Sequence, residues 1–383
     1  MSDLYRSALS ARLAKLPAEL PPSGDEDEEG DSLGSLPGSG LGPPAMPSIS
    51  GRRKKVKKEP NPAFSSISAS SFFVQAVQVA LPRRNLDCRV YYTPPGEAPS
   101  GANQTVMVLQ HGAGYSGLSF ACMAKEITDL SKGECGVLAI DARRHGRTVS
   151  TLETPDEDLS IGVLVDDFVD VIQAVYPDIK TSPTLILVGH SMGGSIVTRA
   201  CPMLLDKKYK IGGVAVLDVV EGSAIDALPH MNNLLNARPD GFDSVEEAVE
   251  WHVTTKAIRN ATSARISVPT IVKPSESSSP NVPPFIWRTT LRSTAPYWES
   301  WFLGLSSSFL SVRTARLLVL AGTDRLDKEL MIGQMQGKFQ MIVVPGTGHM
   351  LHEDDPTRLA EIMVDFWRRN ERLVVGIKKV GES

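Results

Sequence analysis

Apolar residues recur along this chain in two rhythms. Two early runs, Phe72–Leu81 and Cys88–Tyr92, have strand character, and Asn85 between them predicts an antiparallel hairpin. The next run, Thr105–Gln110, is apolar almost throughout, the pattern of a strand covered on both faces. A helical stretch follows at Leu118–Leu130, and the alternation then repeats. Gly136–Asp141, Thr184–Gly189 and Gly213–Val220 read as strands, separated by helices at Leu159–Tyr176 and Ser191–Leu205. Beyond a break come strands at Arg316–Ala321 and Phe339–Val344, a short helix ending at Gln336 between them, and a final helix at Pro356–Glu371. A hairpin followed by alternating strands and helices predicts the α/β class: a mostly parallel sheet of about eight strands, covered by helices on both faces.

The rhythm breaks between Glu221 and Val312. That stretch reads as mostly helical, with a polar insert at Lys273–Pro284. It is expected to be a cap, about residues 222–312, over the carboxyl edge of the sheet, where open α/β sheets place their sites. Residues 1–66 differ from everything after them. An acidic cluster, Asp25–Glu29, precedes a Gly/Ser/Pro stretch and the basic run Arg52–Lys58. Such a segment buries too little apolar area to offset its ordering entropy, so a disordered tail is expected before a domain spanning 67–383. The basic run fits a nuclear-import signal, a contact for an acidic partner, or a solvated charge run.

Composition narrows the class further. The 383 residues are 42% hydrophobic, enough for a large core, and their formal net charge of −4 gives no global pull toward nucleic acid. No apolar run approaches the length of a membrane span, and Met1–Leu20 lacks the apolar centre of a signal peptide. Four scattered cysteines, Cys88, Cys122, Cys135 and Cys201, lack metal-ligand spacing and read as reduced thiols. The expectation is a monomer of the cytoplasm, the nucleus or both.

The strongest chemical signal is Gly189-His190-Ser191-Met192-Gly193-Gly194. It fits the nucleophile elbow G-x-S-x-G, follows an apolar strand and opens a helix, as that turn requires. This points to an α/β-hydrolase fold with Ser191 as nucleophile. A serine hydroxyl needs a neighbouring base. His349, in Pro345-Gly346-Thr347-Gly348-His349, lies directly after the last strand, where this fold keeps its base; His352 competes from three residues on. For the orienting acid, Asp324 and Asp218 both end strands, and position alone slightly favours Asp324. An oxyanion hole would take the N–H groups of Met192 and of Ala113, the latter in the glycine-rich turn His111-Gly112-Ala113-Gly114. No metal or organic cofactor is called for by this chemistry.

From about Phe72 to Arg369 the chain resembles the protein phosphatase methylesterase family. The resemblance rests on the elbow, on Leu217-Asp218-Val219-Val220-Glu221-Gly222, on Ile258-Arg259-Asn260 and on His352-Glu353-Asp354. Most specific is Ile332-Gly333-Gln334-Met335-Gln336-Gly337-Lys338-Phe339-Gln340. It implies a serine carboxylesterase that removes the methyl ester from the C-terminal leucine of the type-2A protein phosphatase catalytic subunit. It also implies a triad of Ser191, Asp218 and His349, which moves the acid from Asp324 to Asp218. Binding of the folded phosphatase, which realigns an unproductive triad, is implied as well. Trp298 and Trp301 are candidates for that contact surface, or for packing the cap on the sheet. Two other functions share these residues: a small-molecule carboxylesterase, and a non-catalytic phosphatase-binding scaffold.

Overall fold

β1 (Gln75–Leu81) and β2 (Leu86–Thr93) form the expected hairpin, and Asn85 takes the left-handed conformation, φ 51°, at its turn. This computed structural model describes residues 59–97, 104–154, 157–277, 279, 281–322 and 326–374. The acidic cluster and the basic run lie outside the described residues. Residues 62–71, which straddle the sequence boundary between tail and domain, make two 3-10 turns. Arg265 reaches back to the Ser65 carbonyl at 2.7 Å, and Ile67 N–H donates to the Arg265 carbonyl at 3.0 Å.

Strands and helices then alternate: β3 (Thr105–Gln110), α1 (Ala121–Leu130), β4 (Cys135–Ile140), the two-residue β5 (Val149–Ser150), α2 (Ile161–Val175), β6 (Thr184–His190), α3 (Met192–Asp206) and β7 (Ile211–Leu217). A long insertion follows, with α4 (Glu221–Asn236), β8 (Gly241–Phe242), α5 (Val245–Thr254), α6 (Ala261–Ser267), β9 (Val272–Pro274), β10 (Phe285–Trp287), α7 (Trp298–Phe302) and α8 (Leu305–Ser311). The chain returns to the sheet as β11 (Ala315–Leu320), α9 (Lys328–Met335), β12 (Gln340–Val343), α10 (Leu351–Asp354) and α11 (Pro356–Val374).

The main sheet runs β1-β2-β4-β3-β6-β7-β11-β12, with β5 paired to β2 at its side. β2 is antiparallel to both β1 and β4, and every later neighbour pair on this path is parallel. Period-two geometry explains why β3, β6 and β7 look apolar throughout. Val106, Val108, Leu185, Leu187, Val214 and Val216 enter the core shared with Phe168 and Ile172 of α2 and Ile196 of α3. Their neighbours Met107, Leu109, Ile186, Val188, Ala215 and Leu217 enter a second core, with Met123 of α1 and Met363 and Phe366 of α11. Each Val, Leu, Ile, Met or Phe among them contributes about 1.5–3 kcal/mol by its burial.

The order places β3 beside β6, yet β3 leads through α1 to β4 on one side and β6 leads through α3 to β7 on the other. That reversal is the position at which open α/β sheets bind ligands. The turns leaving β3 and β6 therefore face each other.

The inserted segment is mostly helical, as expected, but it also holds a small sheet. β8, β10 and β9 make a small antiparallel sheet, and the polar insert becomes the loop of the β9–β10 hairpin, closed by Ser275 N–H on the Pro284 carbonyl at 2.8 Å. Aromatic and β-branched residues at its edges explain the strands: Phe242, Trp251 and Trp287 pack mutually with ring centroids 5.2–6.1 Å apart, over a core containing Val249, Ile258 and Ile271. Trp298 and Trp301 are buried, so of the two readings the sequence allows they pack the cap and do not form a partner surface. The Trp301 indole N–H donates to the Leu159 carbonyl at 2.7 Å, and that of Trp298 to Thr294 at 2.8 Å. Both rings anchor the insertion to the main core.

Candidate active site

Ser191 sits between β6 and α3 at φ 53°, ψ −120°. A non-glycine residue held there stores about 1–3 kcal/mol of strain, which the surroundings must offset. They do so by close approach. A methyl group on Gly193 would lie 2.2 Å from the Gln110 carbonyl oxygen, so only glycine lets the first turn of α3 seat on the end of β3. Ser191 N–H donates to the Leu217 carbonyl at 3.0 Å, and its own carbonyl accepts Gly194 N–H at 2.8 Å. Its side chain does not cap the helix, and the residue is half-buried at the helix N-terminus.

The loop after β12 brings His349 to the same edge. His349 Nδ1–H donates to Oδ2 of Asp218 at 2.9 Å. Asp218 leaves β7 at φ 50°, which ends that strand at Leu217, three residues before the sequence expectation. Its carboxylate is almost buried, and Oδ1 accepts Ala321 N–H at 2.8 Å. The His349 side chain is about half exposed, so the pair opens to solvent on the histidine side. His352, the competing base, is fully buried, neither ring nitrogen has a partner among the described residues, and burial with the adjacent His349 lowers its pKa to about 3. Asp324 lies outside the described residues.

The His349 loop is pinned from three directions. His190 Nε2–H donates to the His349 carbonyl at 2.8 Å, and Asp354 Oδ2 accepts Gly348 N–H at 2.6 Å. Arg259, in the insertion, donates a guanidinium N–H to the Gly346 carbonyl while its backbone N–H donates to Asp354 Oδ1 at 2.7 Å. The sequence marks His190 only as a member of the elbow and gives Arg259 and Asp354 no role. Both fall inside motifs noted above, and no periodicity marks them.

The glycine-rich turn after β3 lies directly against the elbow. A methyl on Gly112 would fall 3.1 Å from Ser191 Cβ and 2.8 Å from His190 Nδ1. The turn's own hydrogen bond runs from Tyr115 N–H to the Gly112 carbonyl at 3.3 Å, which leaves the Ala113 N–H outside it. Met192 is the first residue of α3, so its N–H has no carbonyl one turn earlier to bond. Leu291 of the insertion packs on Gly114, within 2.8 Å of where its β-carbon would be.

Below the edge, burial governs charge. His111 and His145 have pKa values lowered to about 3 and about 4 by burial, and each makes a fixed contact. His111 Nε2 accepts Ala142 N–H at 3.0 Å, and His145 Nδ1–H donates to the Arg143 carbonyl at 2.8 Å. Neither reaches the Ser191–His349 edge as a base. Among the described residues no cluster of three or more His, Cys, Asp or Glu side chains is arranged to hold a metal.

Comparison with known proteins agrees with this fold. The model of the alpha/beta hydrolase family matches residues 106–362. Protein phosphatase methylesterase 1 of Cryptococcus neoformans var. neoformans serotype D (strain JEC21) is 43% identical over 100% of this chain and 96% of its own. The proteins of that name from Aspergillus fumigatus and Schizosaccharomyces pombe are 43% and 44% identical, over 97% and 73% of this chain and 90% and 78% of theirs. Among solved structures, E-2-(acetamidomethylene)succinate hydrolase superposes with a TM-score of 0.56 at 19% identity, over 76% of this chain and 97% of its own. The thioesterase domain from the curacin biosynthetic pathway does so at 0.55 and 19%, over 76% and 99%. At that identity the superpositions speak for the fold.

Proposed function

The chain belongs to the protein phosphatase methylesterase family of α/β hydrolases, and from that membership we propose that it demethylates the C-terminal leucine of the type-2A protein phosphatase catalytic subunit through an acyl-enzyme on Ser191. The observation that carries the reading is the meeting, at one sheet edge, of a strained serine at φ 53° and a histidine bonded to a buried carboxylate at 2.9 Å.

In this reading His349 Nε2 accepts the Ser191 proton as Oγ attacks the ester carbonyl carbon. The N–H groups of Met192 and Ala113 receive the developing oxyanion. Asp218 stays ionised and fixes the tautomer of His349 through the Nδ1–H bond. The C–O bond to the methoxy group breaks, His349 returns its proton to that oxygen, and methanol leaves. Water, deprotonated by the same ring, then attacks the acyl-serine and releases the leucine carboxylate with Ser191 restored. The reaction draws on no cofactor.

Residues 67–383 form the hydrolase domain in this proposal, and the insertion at about 222–312 is its cap. Leu291 against the glycine turn and Arg259 against the His349 loop support that role, because both join the insertion to the site. The basic run is read as a nuclear-import signal, a contact for an acidic partner or a solvated charge run, outside the catalytic domain. A monomer acting in the cytoplasm or nucleus fits four cysteines that are all free thiols.

The test is methanol release from a methylated type-2A phosphatase catalytic subunit, with wild-type protein beside Ser191→Ala. Release by wild type alone supports substrate and nucleophile together. If wild type cleaves only a short activated ester, the phosphatase assignment fails and the chain is a general carboxylesterase. If Ser191→Ala matches wild type in its effect on the phosphatase, the protein acts as a scaffold.

A further inference from the structure

We propose that His190, the residue preceding the nucleophile, is a positioning residue that holds the base loop and the oxyanion turn in register with Ser191. The inference rests on the reading of His349 as the base.

One ring touches all three parts of the site. Its Nε2–H donates to the backbone carbonyl of His349 at 2.8 Å. Its Nδ1 edge lies against Gly112, so closely that a methyl on that glycine would fall 2.8 Å from Nδ1 and 3.2 Å from Cε1. Its backbone continues directly into Ser191, whose N–H is fixed on Leu217. The ring is also the middle of a column. His349 lies tilted at 51° to it with ring centroids 4.6 Å apart, His352 lies 4.5 Å away at 49°, and Phe120 lies 4.4 Å from His352. The exposed His349 side chain is thereby tied through two buried rings to the core.

The identity of the residue argues for the hydrogen bond rather than for bulk. With Nε2 as donor, Nδ1 is a bare acceptor, and it is buried without a partner among the described residues. A phenyl ring would pack in the same space without that penalty. What histidine alone supplies here is an N–H at the far end of a flat ring, aimed at the carbonyl of the base. Fixing that carbonyl fixes the His349 peptide plane, and so the arc through which its ring can reach both Asp218 and Ser191. Burial and the neighbouring rings of His352 and His349 hold the His190 pKa well below its ordinary value, so the ring is neutral and its single proton stays on the donor side.

The experiment compares His190→Leu, His190→Gln, His190→Asn and His349→Asn with wild type, each checked by circular dichroism. Steady-state hydrolysis of p-nitrophenyl acetate and the rate of Ser191 labelling by a fluorophosphonate are measured. Removing the donor in His190→Leu should lower kcat and labelling rate by about 10- to 100-fold with KM little changed, the scale of a misplaced catalytic group. His190→Gln, whose amide N–H reaches the carbonyl, should recover most of that loss. His190→Asn, whose amide falls short, should not, and this pair decides the matter if the leucine variant fails to fold. A glutamine variant no better than the asparagine variant overturns the proposal, as does a folded His190→Leu with wild-type kcat. If those variants match wild type while His349→Asn is inactive, the positioning role fails and the base assignment stands. Turnover in His349→Asn removes the base assignment, and the role of His190 with it.

Discussion

The two oxygens of Asp218 are committed to different partners: Oδ1 accepts Ala321 N–H at 2.8 Å, and Oδ2 accepts His349 Nδ1–H at 2.9 Å. That division makes Asp218→Asn a sharp test. The amide oxygen is needed by Ala321 N–H, which leaves the NH2 group facing Nδ1. A donor there forces the proton of His349 to Nε2, where it can no longer accept one from serine. Turnover should fall by about 10⁴-fold with little change in KM. Asp324→Asn should lose far less, and equal losses would remove Asp218 from the relay.

The Gly112 contact predicts a defect of another kind. A methyl group 3.1 Å from Ser191 Cβ and 2.8 Å from His190 Nδ1 has neighbours that are held on both sides. The turn must therefore move, and Ala113 N–H moves with it. Gly112→Ala should reduce kcat by about 10²–10³-fold, the loss expected for one oxyanion donor, in a protein whose circular dichroism is unchanged. Wild-type kcat in a folded variant would place the oxyanion hole elsewhere.

Asp354 joins the base loop to the insertion, since its carboxylate accepts both Gly348 N–H and Arg259 N–H. Asp354→Ala frees Gly348, the residue before the base, and loosens the anchor of Arg259. A fall in kcat of about 10- to 100-fold is expected, with a smaller fall for Arg259→Ala, which leaves the Gly348 bond intact. Stopped-assay turnover of both variants measures this. The reverse ranking would show that the guanidinium contact with Gly346 is the one that matters.

How much of this could be read from the chain depended on whether local pattern or distant contact decided the outcome. Strands with both faces buried, such as Thr105–Gln110, show as unbroken apolar runs, and the elbow shows as its glycine pattern, although Gly193 is required by a distant carbonyl, that of Gln110. The acid could not be settled that way. Asp218 and Asp324 both read as strand-end aspartates in the sequence, and the proposed choice of Asp218 rests on a bond across 131 residues. The small sheet of the insertion was missed because its strands are two or three residues long, too short for any period to register. Nor does sequence separate Trp301 as a surface residue from Trp301 as an anchor, because its indole partner is the Leu159 carbonyl.

The buried histidines predict how stability responds to acid. Burial lowers the pKa of His111, His252 and His352 to about 3 and of His145 to about 4, and holds His190 well below its ordinary value. Unfolded, each takes up a proton near its ordinary pKa of about 6.5. Between those values the unfolded state holds more protons, so the stabilisation is complete above about pH 6.5 and is lost as pH falls, by up to about 1.4 kcal/mol per pH unit for each ring. Buried Asp141, pushed up to about 6, and Glu353, pushed well above its usual range, act in the opposite sense, because the folded state binds their protons first. Asp167, Asp354 and Glu371 are raised as well and act with these two. The five rings all take up their unfolded-state protons inside this window and set the direction, so Tm should drop from pH 7 to pH 5. His352→Phe isolates one ring. Both nitrogens of His352 are buried and unpartnered among the described residues, so a phenyl group should fit beside His190 without lowering Tm at pH 7. It should also flatten the acid limb by about one proton. A variant with the wild-type slope would mean that His352 is already charged, or already titrating freely, in the folded protein.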